Sequence, residues 1–518
     1  MSGTIFRRFF EKETVDLNAP SYDLAIIGGG INGCGIARDA AGRGLSVFLC
    51  ERDDLACGAS SASTKLIHGG LRYLEYYEFR LVREALQERE VLLRAAPHII
   101  WPLQFILPHH NGLRPAWLIR TGLFLYDHIG GRKMLPGTRS LDLRTEPTGK
   151  MLKSKFTKGF EYSDCWVIDS RLVVLNAMDA ARLGAHINTR TPFLNAKREN
   201  GLWLITVVDP VTETERRIQA RALVNASGPW MGRTLSTIGH NFSGKNVRMV
   251  KGSHIIVKRL FSHNHAYIFQ NSDGRIIFAI PFAEYFTLIG TTDVDYCGNP
   301  DEVAITTSEV EYLCAAASEY ISKKICPSSI VSSYSGIRPL FDDGKRDAKA
   351  VTRDYAITLD SENDDAPLIS IYGGKITTYR KLAETVMNRL RPFLPEMGEE
   401  WTKNKYLPGG NFSADRFEEE VERLRTCRDY LSAEHARRLF RYYGTIAFEM
   451  IHNLHTQDDL GEYFGADLYQ FEVEYLMRNE WAKTAEDIIR RRTMTGLLLS
   501  QKEIDRLQNW MLSQKNQL

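Results

Sequence analysis

The spacing of apolar residues changes along the chain, and each change marks a part. Tyr22–Arg52 reads YDLAIIGGGINGCGIARDAAGRGLSVFLCER. Asp23–Ile27 is a short apolar run of the length of a buried strand. Ile31, Cys34, Ile36, Ala37 and Ala40 follow at helical spacing, and Leu45–Cys50 is a second apolar run. Strand, turn, helix and strand are predicted in that order, with Gly42 and Gly44 ending the helix. Glu78 to about Arg94 is an amphipathic helix whose charges are expected on a solvated face. Ser170–Gly184 is a further amphipathic helix, and Leu202–Val208 and Arg216–Val224 are strands. From Val247 to Asp293 the pattern becomes successive strands, VRMVKGSHIIVK, AYIFQN, RIIFAIPF and FTLIGTTD, with turns at Asn271–Gly274 and Ala283–Glu284; this predicts an antiparallel sheet. Residues 306–326 are helical in pattern. Pro367–Glu384 repeats the opening theme: an apolar run, Gly373-Gly374, then a helix that Thr377 or Thr378 can cap. Beyond about residue 400 the pattern is helical.

These shifts predict an α/β fold, and the small-residue turn in VNASGPW (Val224–Trp230) resembles one found late in folds of the two-dinucleotide-binding type. Residues 1–19 form an extension. Residues 20–95, 160–235 and 335–400 form a discontinuous cofactor domain, 96–159 and 236–334 an inserted antiparallel-sheet substrate domain, and 401–518 an all-helical C-terminal domain. Two apolar stretches leave alternatives. Ile5, Phe6, Phe9 and Phe10 lie among Arg7, Arg8 and Lys12; they could rest on an anionic membrane or tuck against the body, and the second is preferred. Ala116–Tyr126, flanked or interrupted by Arg114, Arg120, Arg132 and Lys133, is too short to span a bilayer. It is an interfacial helix or, the reading preferred, a helix packed between domains.

Composition narrows the class. The 518 residues carry a net charge of +2, which argues against bulk nucleic-acid binding. Eight scattered cysteines form no CxxC pair and no zinc spacing, so no metal is expected and the thiols are expected to be reduced.

The chemistry begins at Gly28, Gly30 and Gly33, a G-x-G-x-x-G placed between a strand and a helix. The glycines allow the tight turn, the approach of a pyrophosphate and close helix–strand packing. The helix N-terminus favours phosphate, and Glu51 can accept from a ribose diol. Ile27, Ile31, Asn32 and Arg52 belong to the same cradle. Ser60, Ser61 and Thr64 offer hydroxyls to further cofactor oxygens, and Lys65, Leu66, His68 and Gly69 follow. Ala226 and Gly228 in VNASGPW, Gly336 in YSGIRPL, and Gly374, Lys375, Ile376 and Thr377 in YGGKITTYRKLAE complete the expected contacts. A second helix N-terminus with Lys375 beside it suits the negative charge of a reduced flavin, so FAD is favoured over NAD.

The motifs IIGGGINGCGIARDAAGRGLSV, SSASTKLIHGGLRYLE, GFEYSDCWV, VNASGPW, KGSHIIV, IGTTDV, YSGIRPL, YGGKITTYRKLAE and LPGG run from about Ser21 to the C-terminus. With them the chain resembles the FAD-dependent respiratory glycerol-3-phosphate dehydrogenases of bacteria. The resemblance implies oxidation of sn-glycerol 3-phosphate to dihydroxyacetone phosphate, with electrons passed from FAD to a membrane quinone. It also implies peripheral attachment to the cytoplasmic face of the cell membrane. A homodimer is expected, although no residue pattern sets the assembly.

Read for that chemistry, a phosphate monoester needs fixed cations: Arg338, Lys375 and Arg72, with Tyr73 and Thr377 as hydroxyl donors. Hydride loss from C2 needs a base for the hydroxyl proton. His254 is the first choice, with Lys375 and His68 as alternatives. The catalytic set expected is therefore His254, Lys375 and Arg338, and the substrate-binding set adds Arg72, Tyr73 and Thr377. Rival functions are an amine or amino-acid oxidase of the same fold, a flavin-bound sensor, and a flavin-dependent RNA-modifying enzyme. The near-neutral charge and the lack of paired cysteines count against the last.

Overall fold

The computed structural model describes residues 19–238, 247–341, 355–361 and 365–514. The N-terminal aromatic-basic segment (residues 5–12) and the charged loop at 342–350 lie outside the described residues.

Two sheets organise the molecule. The first has eight strands. Its parallel core runs Leu368–Tyr372, Glu215–Asn225, Ser21–Ile27, Val47–Cys50 and His186–Asn188. Ala356–Asp360 adds an antiparallel edge, and the hairpin Phe193–Glu199 with Leu202–Val208 hangs from Glu215–Asn225. The predicted opening unit is present as strand Ser21–Ile27, helix Ile31–Gly42 and strand Val47–Cys50. Strand Ser21–Ile27, the first in the chain, lies between Val47–Cys50, the next strand, and Glu215–Asn225, which comes far later, so the strand order reverses there and its carboxyl end is a topological switch point, the usual ligand crevice of an open α/β sheet. Gly28 has φ +112°, a backbone that L side chains rarely adopt, and a Cβ on Gly33 would sit 1.9 Å from the Gly28 carbonyl oxygen. Only glycine permits that strand–helix contact.

The second sheet has ten strands. Val247–Lys258 lies between Phe286–Gly290 and the long strand Ile330–Phe341. The order then continues through Ile276–Phe282, Ala266–Gln270, Ile100–His109, Lys158–Val167 and Leu66–Ile67. The turn at Ala283–Glu284 forms with positive φ at both residues, as a tight hairpin requires. Helix Thr307–Tyr320 packs on this sheet and starts at a capping box formed by Thr306 and Glu309. Leu66–Ile67, Lys158–Val167 and Ile330–Phe341 belong to this sheet, so it runs past residues 159 and 334 and takes in a strand before residue 96, across the domain limits expected from the sequence.

Three expectations change. The charges of helix Phe79–Ala95 are not all solvated: Glu88 binds Arg380 at 2.6 Å and Arg89 binds Asp164 at 2.8 Å, both pairs buried. The helix is sandwiched between the sheet and the later helix Tyr379–Leu390, so its polar face meets protein. Helix Ala116–Ile129 is not packed between domains. It buries only Leu123 and Tyr126 and turns Trp117 (70% exposed) and Phe124 (57% exposed) outward. The turn Leu71–Tyr76 lies beside it, with Glu75 3.7 Å from Arg114, and Tyr76 and the following Tyr77 and Phe79 are also exposed. The C-terminal domain, helical over most of its length, includes a small two-stranded ribbon, Tyr463–Gly465 with Leu468–Tyr469.

That domain is welded to the cofactor layer. Asp54 accepts from Arg491 (2.6 Å) and twice from Arg492 (2.8 Å), and Arg171 pairs with Glu480. Of the arginine triplet, Arg491 and Arg492 therefore meet acidic side chains, and exposed Arg490 pairs with Glu486 at 2.5 Å. All eight cysteines are unpaired. Among the described residues no helix is long and apolar enough to cross a membrane.

Candidate active site

Four segments meet at the carboxyl ends of the parallel strands. The first is the turn before helix Ile31–Gly42. Glu51 accepts there from the Gly29 amide (2.7 Å) and the Asp53 amide (2.8 Å). Burial raises the pKa of its carboxyl group, and these two N–H groups oppose the shift. Ser60 Oγ accepts from the Ile31 amide at 3.0 Å, and a side chain on Gly28 would strike the Ala226 carbonyl. The stretch Ser60–Ser61 and the Ala226–Gly228 turn therefore border the same crevice. Asn32 Nδ2 donates to the Gly373 carbonyl at 3.2 Å, joining the two glycine turns that lie far apart in sequence. Its Oδ1 is buried without a partner among the described residues. The Asn32 and Gly33 amides, in the first turn, have no intrahelical acceptor.

The second sheet closes the other side. Gly336 lies opposite Gly252 in the strand pair, and a Cβ on Gly336 would meet Ala62 at 2.9 Å. His254 stacks on Tyr334 (centroids 4.8 Å apart), and its Nε2 lies 3.0 Å from Thr64 Oγ1. The His254 ring is only 1% exposed, and burial, with Arg338 and Lys65 nearby, holds its pKa well below 6.5. Arg338 donates to Asp293 (2.6 Å) and Thr291 (3.1 Å) and stays part-exposed. Lys375 sits over the Tyr73 ring at 3.7 Å.

Several side chains expected to touch ligand point elsewhere. Thr377 is fully buried; its hydroxyl accepts from the His68 amide (3.2 Å), so it ties the Gly69-Gly70 loop to the Gly373-Gly374 turn and does not face a substrate. Lys65 spends its ammonium on Asp169 (2.7 Å) and the Ser61 carbonyl (3.0 Å), leaving only its backbone for a cofactor. Leu66 is buried in the second sheet. Arg52 donates to Asp301 (2.6 Å) and lies over Trp230, clasping the two sheets together. Arg72 donates to Tyr76 at 3.2 Å toward the exposed aromatic side. His254 itself is enclosed, with Thr64 and Tyr334 against its ring.

The comparisons agree with this geometry. A model of FAD dependent oxidoreductases matches residues 23–380, and one of the C-terminal domain of alpha-glycerophosphate oxidase matches residues 401–512. The chain is 52% identical to D-erythritol 1-phosphate dehydrogenase of Brucella abortus, over 94% of this chain and 97% of that protein. It is 48% identical to aerobic glycerol-3-phosphate dehydrogenase of Escherichia coli, over 96% and 98%. This chain belongs to the FAD-dependent glycerol-3-phosphate dehydrogenase family. The solved structure of the family member from Bacillus halodurans, complexed with FAD, superposes with a TM-score of 0.75 at 27% identity, covering 95% of this chain and 94% of that one.

As in this family, the cofactor is FAD, and the residues present fit it. Glu51 supplies a carboxylate acceptor, the glycine turns admit no side chain, and the buried Asn32 Oδ1 awaits a donor. The first helix N-terminus suits the pyrophosphate. Sequence reasoning missed four acids and hydroxyls that hold the dehydrogenase site in shape: Asp164, Asp169, Thr291 and Asp293. Asp164 accepts from Arg89, Tyr126 and the Gly69 amide, and Asp169 from Ser63 and Lys65. A signal was available for Asp164, one of two acids, with Glu161, inside the short strand-like stretch FEYSDCWV, where a buried carboxylate needs partners.

Proposed function

We propose that this enzyme oxidises the secondary alcohol of sn-glycerol 3-phosphate to dihydroxyacetone phosphate and passes the electrons to a membrane quinone. The observation that carries the reading is the part-open guanidinium of Arg338, aimed beside a buried neutral histidine on the wall that faces the cofactor cradle. Arg338 and Lys375 receive the phosphate, since a guanidinium bonds two phosphate oxygens at once. FAD, when bound, supplies the hydride acceptor. The C2 hydroxyl proton passes to Thr64 Oγ1 while the Thr64 hydroxyl proton passes to His254 Nε2, which is unprotonated at neutral pH because its pKa is depressed. Lys375 and Tyr73 hold the phosphate end still.

A second substrate is favoured by the 52% identity to a D-erythritol 1-phosphate dehydrogenase. Both substrates are polyol phosphate monoesters and need the same cations. Dye or quinone reduction by purified protein, driven by each ester in turn, ranks them by kcat/KM. If neither ester bleaches the flavin anaerobically while glycine or a D-amino acid does, the enzyme is an amine oxidase and the phosphate reading fails.

We propose that the protein attaches to the cytoplasmic face of the cell membrane; the exposed Trp117 and Phe124, on a helix flanked or interrupted by Arg114, Arg120, Arg132 and Lys133, support this reading. Trp117→Glu with Phe124→Glu should abolish sedimentation with anionic vesicles and leave soluble-dye reduction intact. Retained vesicle binding would rule that face out. The working assembly is a homodimer, checked by light scattering in detergent.

A further inference from the structure

The wall that carries Arg338 holds its guanidinium with more than the phosphate reading requires. Arg338 pairs with Val250 in the register of strands Ile330–Phe341 and Val247–Lys258. Its side chain runs along the sheet over Gly252, where a Cβ would sit 2.6 Å from both Arg338 Nη2 and Thr291 Oγ1. No residue but glycine leaves room for that course. At its end Nη1 donates to Asp293 Oδ1 at 2.6 Å and Nη2 donates to Thr291 Oγ1 at 3.1 Å. Thr291 in turn donates to the Thr292 carbonyl at 3.0 Å, so its hydroxyl is oriented to accept. The two partners differ in exposure: the Asp293 side chain is 8% exposed and that of Arg338 29%. The carboxylate is the inner wall and the guanidinium the outer face.

We propose that Asp293 is a positioning residue for Arg338, fixing the plane of its guanidinium and offsetting part of its charge so that a phosphate ester binds and its product leaves. This inference rests on the phosphate role of Arg338 given above. Fixing the plane lowers the entropy lost when the fork meets two phosphate oxygens. Offsetting the charge weakens the attraction for any phosphate anion, substrate and product alike. The two effects oppose one another, and two substitutions separate them. Asp293→Asn keeps an oxygen that accepts the Nη1 hydrogen bond and removes the negative charge. Asp293→Ala removes both.

The test is competitive inhibition of substrate-driven dye reduction by inorganic phosphate, measured for the parent enzyme, both Asp293 variants and Arg338→Ala. Bound flavin absorbance confirms that each variant is folded and loaded. Asp293→Asn should tighten phosphate inhibition and lower KM by about 3- to 10-fold, because one nearby charge is gone. Asp293→Ala should weaken inhibition and raise KM, because the guanidinium is no longer aimed. A residue that only supported the fold would move both variants the same way. Shifts of the same sign in both, or none in either while Arg338→Ala relieves inhibition, overturn the role of Asp293 and leave that of Arg338 standing. If Arg338→Ala is inhibited as strongly as the parent, the phosphate role of Arg338 fails and the inference falls with it.

Discussion

Arg492 and Arg338 each bind an aspartate, and the two pairs do opposite work. Arg492 and Asp54 are 0% and 1% exposed, and Asp54 is saturated by Arg491 and Arg492 together. Every charge there is matched inside protein, so the pair joins the C-terminal domain to the cofactor layer and offers nothing to a ligand. Arg338 and Asp293 are 29% and 8% exposed. Its acid is the more buried partner and its cation the more exposed. The same two residue types make a weld when closed on all sides and, on the reading proposed for Arg338, a receptor when one side is open. Burial on each side of the pair, more than its hydrogen-bond length, separates the two.

Breaking the closed pair should have the largest effect. Asp54→Ala takes a carboxylate from two buried guanidinium groups, Arg492 and Arg491, of which Arg491 keeps Asp487, at a cost of about 3–5 kcal/mol, and should lower the denaturation midpoint steeply. A midpoint within experimental scatter of the parent would show that the weld is not where the domains are held. Breaking the open pair should instead spare stability. Arg338→Ala should change the midpoint by less than about 1 kcal/mol. Its kcat/KM should fall roughly 10- to 100-fold, mainly through KM, as charge-assisted bonds to phosphate are lost. An unchanged KM refutes the phosphate role.

The smallest effect sharpens the contrast through pH. Burial holds His98 and His254 well below their ordinary 6.5, and Arg338 adds to the depression at His254. Unfolding therefore takes up protons at these rings once the pH drops below about 6.5, so stability falls with acidification there and is level above it. Arg338→Gln should ease that fall slightly, by less than about 1 kcal/mol, since one repelling charge is removed. Thermal midpoints between pH 5 and 7.5 would detect it, and an identical slope in parent and variant would mean that Arg338 does not act on His254.

The cofactor side of the site was legible because its chemistry is local. Gly28, Gly30, Gly33 and Glu51 lie within one strand–helix–strand unit; Gly28 takes a positive φ and Gly33 packs against the Gly28 carbonyl, both requirements set within that unit. The substrate wall was legible only in part. Arg338, Lys375 and His254 stood out as chemically able, but the partners that aim or enclose them come from other segments: Asp293 for Arg338, Tyr73 for Lys375, and Thr64 and Tyr334 for His254. Thr377 and Lys65 were misjudged for the same reason, since the groups that claim them, the His68 backbone and Asp169, are distant in sequence.

By itself the sequence determined where strands, helices and tight turns form, and with them the dinucleotide cradle, because hydrophobic period and glycine placement act over a few residues. Tertiary structure decided which polar side chains face a ligand and which are spent on one another. That choice depends on what lies across the interface, and a residue's neighbours along the chain carry no record of it. Helix Ala116–Ile129 is the plainest case: its apolar pattern is equally that of a buried helix, and only its place at the rim of the fold turns Trp117 and Phe124 outward.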